Sequence, residues 1–491
     1  MVIIPSPIKS CHNLIAGQLA PGSGRELDVT SPYTGGTIGR VRLSTEVDVD
    51  RAVRAAQLAW PDWQATPLRE RIEPLLALRA LLLDELDELS HVVAAESGKT
   101  PAEARAGVLR GIEVMDFAAG LLSSDAGGAL DVSRGVSCEY RRDALGVVVG
   151  ITPFNFPAMV PMWMFPIALT VGNAFILKPS EKVPLAANYI GELVSRAGYP
   201  PGVFSVVHGD RVAVDALCQH PLTRAVAFVG STDVARRVYA TAASAGKRAL
   251  CLGGAKNQLI VAPDADPGLA VRSIVDSFTG CAGQRCMAGS LMIAVGDAEA
   301  LIGKVKAAAS DIALGTGMGA LIDGAAKQRL LGAIERAERE GAEVLLDGRL
   351  APVPPEYAGG HWLGPTILDR VEPQMDCAQS ELFGPVLSVM RVPTLEAALS
   401  VEQHNPYGNA TSVFTSSGAA ARLVRERATS GMIGVNIGVP VPREPFSFGG
   451  TKQSKFGHGD ITGPSAVSFW TDLKKITVKW AAQSDANWMS G

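Results

Sequence analysis

The sequence predicts an α/β protein of two or three domains, and three observations carry that reading. From Leu145 to Gly254 short apolar runs alternate with helical stretches, as in a parallel sheet with helices on both faces. A second strand-and-helix region runs from about Ala255 to Pro440. The chain has 491 residues, and single cores usually stop growing at about 250–300 residues.

Each element follows from local pattern. From Asp48 to about Leu122, stretches such as "VDVDRAVRAAQLAW" carry apolar residues at three-to-four spacing, and Gly98 marks a helix end. "GVSCEYRRDALG" reads as a strand excursion. "LGVVVG", "AFILK", "GVFSVV", "RAVAFV" and "KRALCL" read as strands, with helices in "PAMVPMWMFPIALTVGN", "PLAANYIGELVSRAG", "RVAVDALCQ" and "TDVARRVYATAASAG" between them. Downstream come "NQLIVAPDAD", the helix "AAKQRLLGAIERAERE" and the strand in "SELFGPVLSVMRV". The terminal "SFWTDLKKITVKW" alternates like an edge strand, a common oligomer contact.

Composition narrows the function. Apolar residues make up 47% and the formal net charge is -4. No basic tract points to nucleic acid. Seven scattered cysteines, without CxxC or a zinc-like grouping, argue against a disulfide framework and a metal site. The expected setting is reducing and cytoplasmic. No signal peptide is read at the N-terminus. No charge lies between Asp143 and Lys178, but Pro153, Pro157, Pro161 and Pro166 interrupt that run. It reads as buried strand, loop and helix, and no membrane partner is expected.

Ligands of open parallel sheets bind beyond the carboxyl ends of the strands. The polar residues there are Asn155, Lys178, Ser180, Glu181, Gly230, Ser231 and Gly253. Asn155 in "TPFNFP" offers an amide to an oxyanion or simply closes a turn. Glu181 in "KPSE" suits ribose hydroxyls or a surface ion pair. "GSTD" is either a plain helix cap or a pyrophosphate site, and GxGxxG is absent. In "FTGCAGQRCMAGS" Arg285 precedes Cys286, and a neighbouring cation favours thiolate. Cys281 has no charged neighbour; both thiols are equally compatible with inert burial. "ELFGPV" sets Glu381 beside Phe383.

Taken in order, "TPFNFP", "KPSE", "FVGST", "LGGAKN", "GQRC", "ELFGPV" and "PFSFGG" resemble the motif series of the aldehyde dehydrogenase superfamily, from about Ile15 to Trp480. The resemblance implies that fold. It assigns a Rossmann-like NAD-binding domain to 1–122 and 144–254, a catalytic domain to 255–455, and a bridging oligomerisation element to 123–143 and 465–491. It implies Cys286 as nucleophile, with Asn155 and the Cys286 backbone N–H as oxyanion hole. It places NAD on Thr152, Phe154, Lys178, Ser180, Glu181, Gly230, Ser231, Gly253, Glu381 and Phe383. Glu181 then favours NAD over NADP by repelling a 2′-phosphate.

One departure bears on subclass. Hydrolytic members carry a glutamate in "ELGGK" that activates water; aligned on the two glycines, "CLGGAKN" puts Cys251 there. A thiol of ordinary pKa about 8.5 is a poor carboxylate substitute. "GGAKN" with "GQRCMA" resembles the CoA-acylating methylmalonate-semialdehyde dehydrogenase branch. That resemblance implies coenzyme A as acyl acceptor, a carboxylate-bearing semialdehyde as substrate, and a clamp of Arg110 (in "VLRGIE") and Arg285 on its carboxylate. Gln258, Arg443 and Glu444 depart from the branch pattern. The alternatives are a hydrolytic NAD-dependent enzyme and a non-catalytic member of the fold. A homodimer or homotetramer is expected.

Overall fold

Five parallel strands form the centre of the first sheet, in the order 248–252, 223–229, 147–151, 174–178 and 204–206. The chain enters at Val147–Ile151, builds outward on one side, then returns to the other side of that first strand. The reversal makes a switch point between 147–151 and 223–229, where a crevice opens at the strand ends. Antiparallel edge strands complete the eight: Lys455–Gly457 beside Arg248–Leu252, and Asn13–Ile15 with Gln18–Ala20 at the far edge. The computed structural model describes residues 8–124 and 127–480. The parts of the expected domains at 1–7, 125–126 and 481–491 lie outside the described residues.

Strand alternation divides the side chains of this sheet between two cores. Val226, Phe228 and Cys251 pack with Val49, Val53, Leu217 and Val238 from the helices Glu46–Ala65, Arg211–Gln219 and Thr232–Ser244. Ala225, Ala227, Leu250 and Leu252 face the opposite core, which holds the helices Pro101–Ala119 and Met159–Thr170. Every residue of helix 159–170 is buried. This explains the charge-free run as interior packing. Among the described residues no helix is long and apolar enough to cross a membrane.

The second sheet has seven strands in the order 343–346, 366–369, 386–392, 289–295, 257–261, 410–414 and 432–435. All neighbours are parallel except the first pair. A third sheet is antiparallel: Thr471–Lys479 pairs along its length with Val136–Ala144, which pairs with Gly128–Ser133. Its residues are largely exposed, Leu130, Val132, Tyr140 and Leu473 among them. A small sheet of 9–11, 37–42 and 26–30 precedes the first helix, in a stretch where the sequence reading offered no element.

Asn173 ties the first and third sheets together. Its Oδ1 accepts from the Leu145 and Gly146 N–H groups at 2.8 and 3.1 Å, and its Nδ2 donates to the Ala168 and Trp470 carbonyls at 3.1 and 2.9 Å. The side chain is fully buried. Each buried partner left unsatisfied costs about 1–3 kcal/mol. Asn173→Leu is therefore expected to lower the thermal midpoint by several degrees in a melting curve; an unchanged midpoint would mean the anchor is dispensable.

Candidate active site

The nucleophile candidate sits just past a tight left-handed turn. Helix Pro267–Thr279 ends, and Cys281, Ala282 and Gly283 follow with φ of 55°, 52° and 66°. Only glycine takes such φ without strain. At Gly283 space matters too, since a Cβ there would lie 2.1 Å from the Gly384 carbonyl oxygen. External bonds hold the turn. Glu103 caps its own helix by accepting from the Thr100 N–H at 2.9 Å, and its other oxygen accepts from the Cys281 N–H at 2.5 Å. Buried Gln284 accepts from Ile322 N–H at 2.9 Å and donates to the Ala320 carbonyl at 3.1 Å.

Cys286 then emerges half-buried, with its carbonyl accepting from the side-chain amides of Asn257 and Asn409, each at 2.8 Å. Asn155 comes from the other side, off the end of strand 147–151, and donates one amide hydrogen to the Gln284 carbonyl at 3.0 Å. An amide nitrogen has two hydrogens. The second is left for an oxygen on the substrate.

A cleft of about 880 Å³ lies at the strand ends, lined by both Cys286 and Asn155. It gathers Thr152, Phe154, Lys178, Ser180, Glu181, Gly230, Ser231, Gly253, Glu381 and Phe383 as well. Phe154 and Phe383 meet edge-to-face at 5.8 Å. Lys178 is buried and pairs with Glu181 at 3.4 Å. Burial pulls the Lys178 ammonium pKa down, and Glu181 opposes that pull. Ser231 stands at the cap of helix Thr232–Ser244, and the Thr152 hydroxyl is buried without a partner. Glu381 accepts from the Ala255 N–H at 2.9 Å, and its other oxygen lies 2.4 Å from where a Cβ on Gly254 would be. Among the described residues no cluster of three or more His, Cys, Asp or Glu side chains is placed to hold a metal.

The electrostatics run against a resting thiolate. Desolvation pushes the Cys286 thiol up to about 12, and Glu381 adds to it; Arg285 and Lys99 pull it down by less. Burial likewise lifts the Glu381 carboxyl to about 7, against the Ala255 hydrogen bond and the Arg329 and Lys256 charges.

Three expected residues lie away from the cleft. Arg285 turns back on the preceding helix, donating to the Ser277 carbonyl at 3.1 Å and to the Asp276 carbonyl. Arg110 is held by Glu444 at 2.7 Å, Glu113 at 2.9 Å and the Pro442 carbonyl at 2.8 Å. Neither arginine lines the cleft. Nor does Cys251 reach the cleft: it lies in the core on the far face of the sheet, where burial raises its thiol pKa. The side chain on the face shared with helix 159–170 is its neighbour Leu252. Sequence reasoning missed Glu103, Gln284, Asn257 and Asn409. Gln284 and Asn257 lay inside quoted motifs, whereas Glu103 was visible only as a capping box with Thr100.

The charge of Glu381 suppresses the thiolate only above about pH 7, where that carboxyl ionises. Glu381→Gln should therefore raise the iodoacetamide inactivation rate of Cys286 several-fold at pH 8, with the gap closing below pH 7. Equal rates at both pH values would show that Glu381 does not act on the sulfur.

Comparison with known proteins fits this geometry. The family model "Aldehyde dehydrogenase family" matches residues 19–476. Malonate-semialdehyde dehydrogenase 2 of Geobacillus kaustophilus is 42% identical, over 96% of this chain and 99% of the relative. The malonate-semialdehyde dehydrogenase of Pseudomonas aeruginosa is 41% identical, over 96% of each chain. Among solved structures, methylmalonate-semialdehyde dehydrogenase from Oceanimonas doudoroffii superposes with a TM-score of 0.95 at 40% identity, covering 97% of this chain and 99% of that one. A candidate methylmalonate-semialdehyde dehydrogenase from Sinorhizobium meliloti, complexed with NAD, gives 0.95 at 40% identity over 98% and 99%.

Proposed function

The chain belongs to the aldehyde dehydrogenase family, and from that premise we propose that it oxidises malonate or methylmalonate semialdehyde with NAD and passes the acyl group to coenzyme A. One observation carries the choice of acceptor. Strand 248–252, with the sequence RALCL, brings no carboxylate to the cleft: Cys251 and Leu252 are both buried and neither lines it, whereas hydrolytic relatives carry a glutamate at the position aligned with Cys251. That strand offers no base to deprotonate water, whereas coenzyme A brings its own sulfur nucleophile.

The cleft residues fit NAD. Backbone N–H groups at the start of helix 232–244 suit a pyrophosphate, and Glu181 suits a ribose. The unpartnered Thr152 hydroxyl and the Phe154–Phe383 pair offer a polar and an apolar contact to the remaining ring systems. When bound, NAD accepts the hydride. The protein does the rest. Cys286 Sγ bonds to the aldehyde carbon, and the oxygen develops negative charge. The free Asn155 hydrogen and the Cys286 backbone N–H stabilise that oxygen, held in place by Gln284, Asn257 and Asn409. The thiol cannot attack while protonated, so its proton must leave as the substrate site fills; Glu381, near pH 7 in its titration, is the carboxylate that acts on it. After hydride loss a thioester remains on Cys286. The coenzyme A thiol displaces Cys286 from the carbonyl carbon. With the β-carboxylate lost as CO2 and a proton from water taken up at the freed α-carbon, malonate semialdehyde yields acetyl-CoA and methylmalonate semialdehyde yields propanoyl-CoA. Arg110, on the helix backing the Phe156–Trp163 wall of the cleft, is the cation proposed to meet the acid end.

The segments 8–122 and 144–254 act as the NAD-binding domain, 255–455 as the catalytic domain, and the exposed sheet of 128–133, 136–144 and 471–479 joins copies into a homo-oligomer. Seven free cysteines, none bonded to another, suit a reducing cytoplasm. One observation favours a second reading, hydrolysis: Glu381 titrates where a general base works best.

The test is NADH production from malonate semialdehyde, with and without coenzyme A, with products identified by mass. Turnover that needs coenzyme A and yields acetyl-CoA is the expected result. Steady turnover to free acid without it would give the role to water and Glu381.

A further inference from the structure

The Arg110 cation is already occupied by a carboxylate of the same chain. Gly107, Arg110 and Gly111 share one face of helix 101–119 at i, i+3 and i+4 spacing, and that face lies against the cleft wall. A Cβ on Gly107 would touch the Phe156 ring at 3.6 Å, and one on Gly111 would collide with Met162. Phe156 and Trp163 line the cleft itself, and Trp163 packs at a tilt against Phe448 of the 440–450 loop, ring centres 4.7 Å apart. From that loop Glu444 reaches Arg110 at 2.7 Å. The two side chains are only 12% and 7% exposed.

The pair is incompletely satisfied. Glu444 Oε1 and Arg110 Nε are both buried without a partner. Around them Arg110 also bonds Glu113, and Arg443 bonds Glu113 at 3.1 Å. Two cations therefore face two anions, and the local charge is balanced before any substrate arrives.

We propose that Glu444 is a specificity-determining residue: its carboxylate occupies the guanidinium edge that the acid end of a semialdehyde must use, so every acid substrate competes with the protein's own anion. The proposal rests on the preceding reading that Arg110 meets the substrate's acid end. An arginine fork binds one carboxylate bidentately. A second anion brought to a balanced cluster gains little and is repelled by Glu444 and Glu113. Binding an acid therefore requires Glu444 to swing off Arg110, and its loop has solvent beside it at Arg443 and Phe446. The preference for an acid-bearing over a plain aldehyde is thereby held below what a free arginine would give.

The test compares kcat/KM for malonate semialdehyde and propanal in wild type, Glu444→Gln, Glu444→Asp and the double variant Arg110→Gln/Glu444→Gln. In E444Q the acid-to-alkyl ratio should rise at least tenfold, mainly through a lower KM for the acid. E444D, whose carboxylate is drawn back by one methylene, should give a rise of about threefold and covers the case that E444Q does not fold. The double variant should lose the gain, which separates competition at Arg110 from a mere change in net charge. A ratio unchanged in E444Q, in an enzyme whose wild type oxidises the acid, overturns the proposal alone. So does a gain that survives in the double variant. Wild type and E444Q that both oxidise propanal but never the acid overturn the acid-substrate reading and the proposal together.

Discussion

The site depends on one constraint: three consecutive residues, Cys281 to Gly283, held in left-handed backbone conformation. Two of them carry side chains, so the turn is costly and persists only because its surroundings fix it. Glu103 fixes its entrance and Gln284 its exit. Both anchors come with a second duty. Glu103 already caps the helix that carries Arg110, and the Gln284 carbonyl receives the hydrogen bond that aims Asn155. The candidate nucleophile, the candidate oxyanion donor and the helix behind the cleft wall are thus coupled through two residues. A change in any one of them disturbs all three.

That coupling places the thiol in an environment that resists ionisation. Burial dominates, and the charge with the largest effect is a carboxylate rather than a cation. The same burial keeps Glu381 half-protonated near neutrality. Two buried acids, one of which raises the pKa of the other, can exchange a proton when a ligand alters the water around them. The structure is therefore better suited to forming thiolate on demand than to storing it. This also protects a half-exposed cysteine from oxidation between turnovers, since the thiolate is the reactive form.

Much of this was legible in the sequence, and the exceptions share a cause. The strand-helix alternation gave the five parallel strands and their polar ends, because period and strand-end chemistry are local properties. The cleft gathers all ten residues expected to contact NAD, as well as Cys286 and Asn155. The small sheet of 9–11, 26–30 and 37–42 was not legible, since strands of three to six residues carry too little periodicity. Cys251 lies out of reach of the cleft because aligning two glycines says nothing about the face on which a strand residue lands. Successive strand residues take opposite faces, and the sheet turns Cys251 into one core and Leu252 into the other.

Arg285 shows the same limit at the level of charge. Its place beside Cys286 in the chain suggested a cation serving the thiol. In space its guanidinium returns to the last turn of helix 267–279, at the negative end of the helix dipole. Its pull on the thiol ranks below burial and Glu381. The arginine proposed to bear on substrate choice is instead Arg110, 176 residues upstream of Cys286 by number and carried on the helix behind the cleft wall. What controls it is Glu444, more distant still in sequence. Motif adjacency locates the reacting atom. Selectivity is set by charges that only the tertiary fold brings together, and here those charges include an anion that the protein supplies against its own substrate.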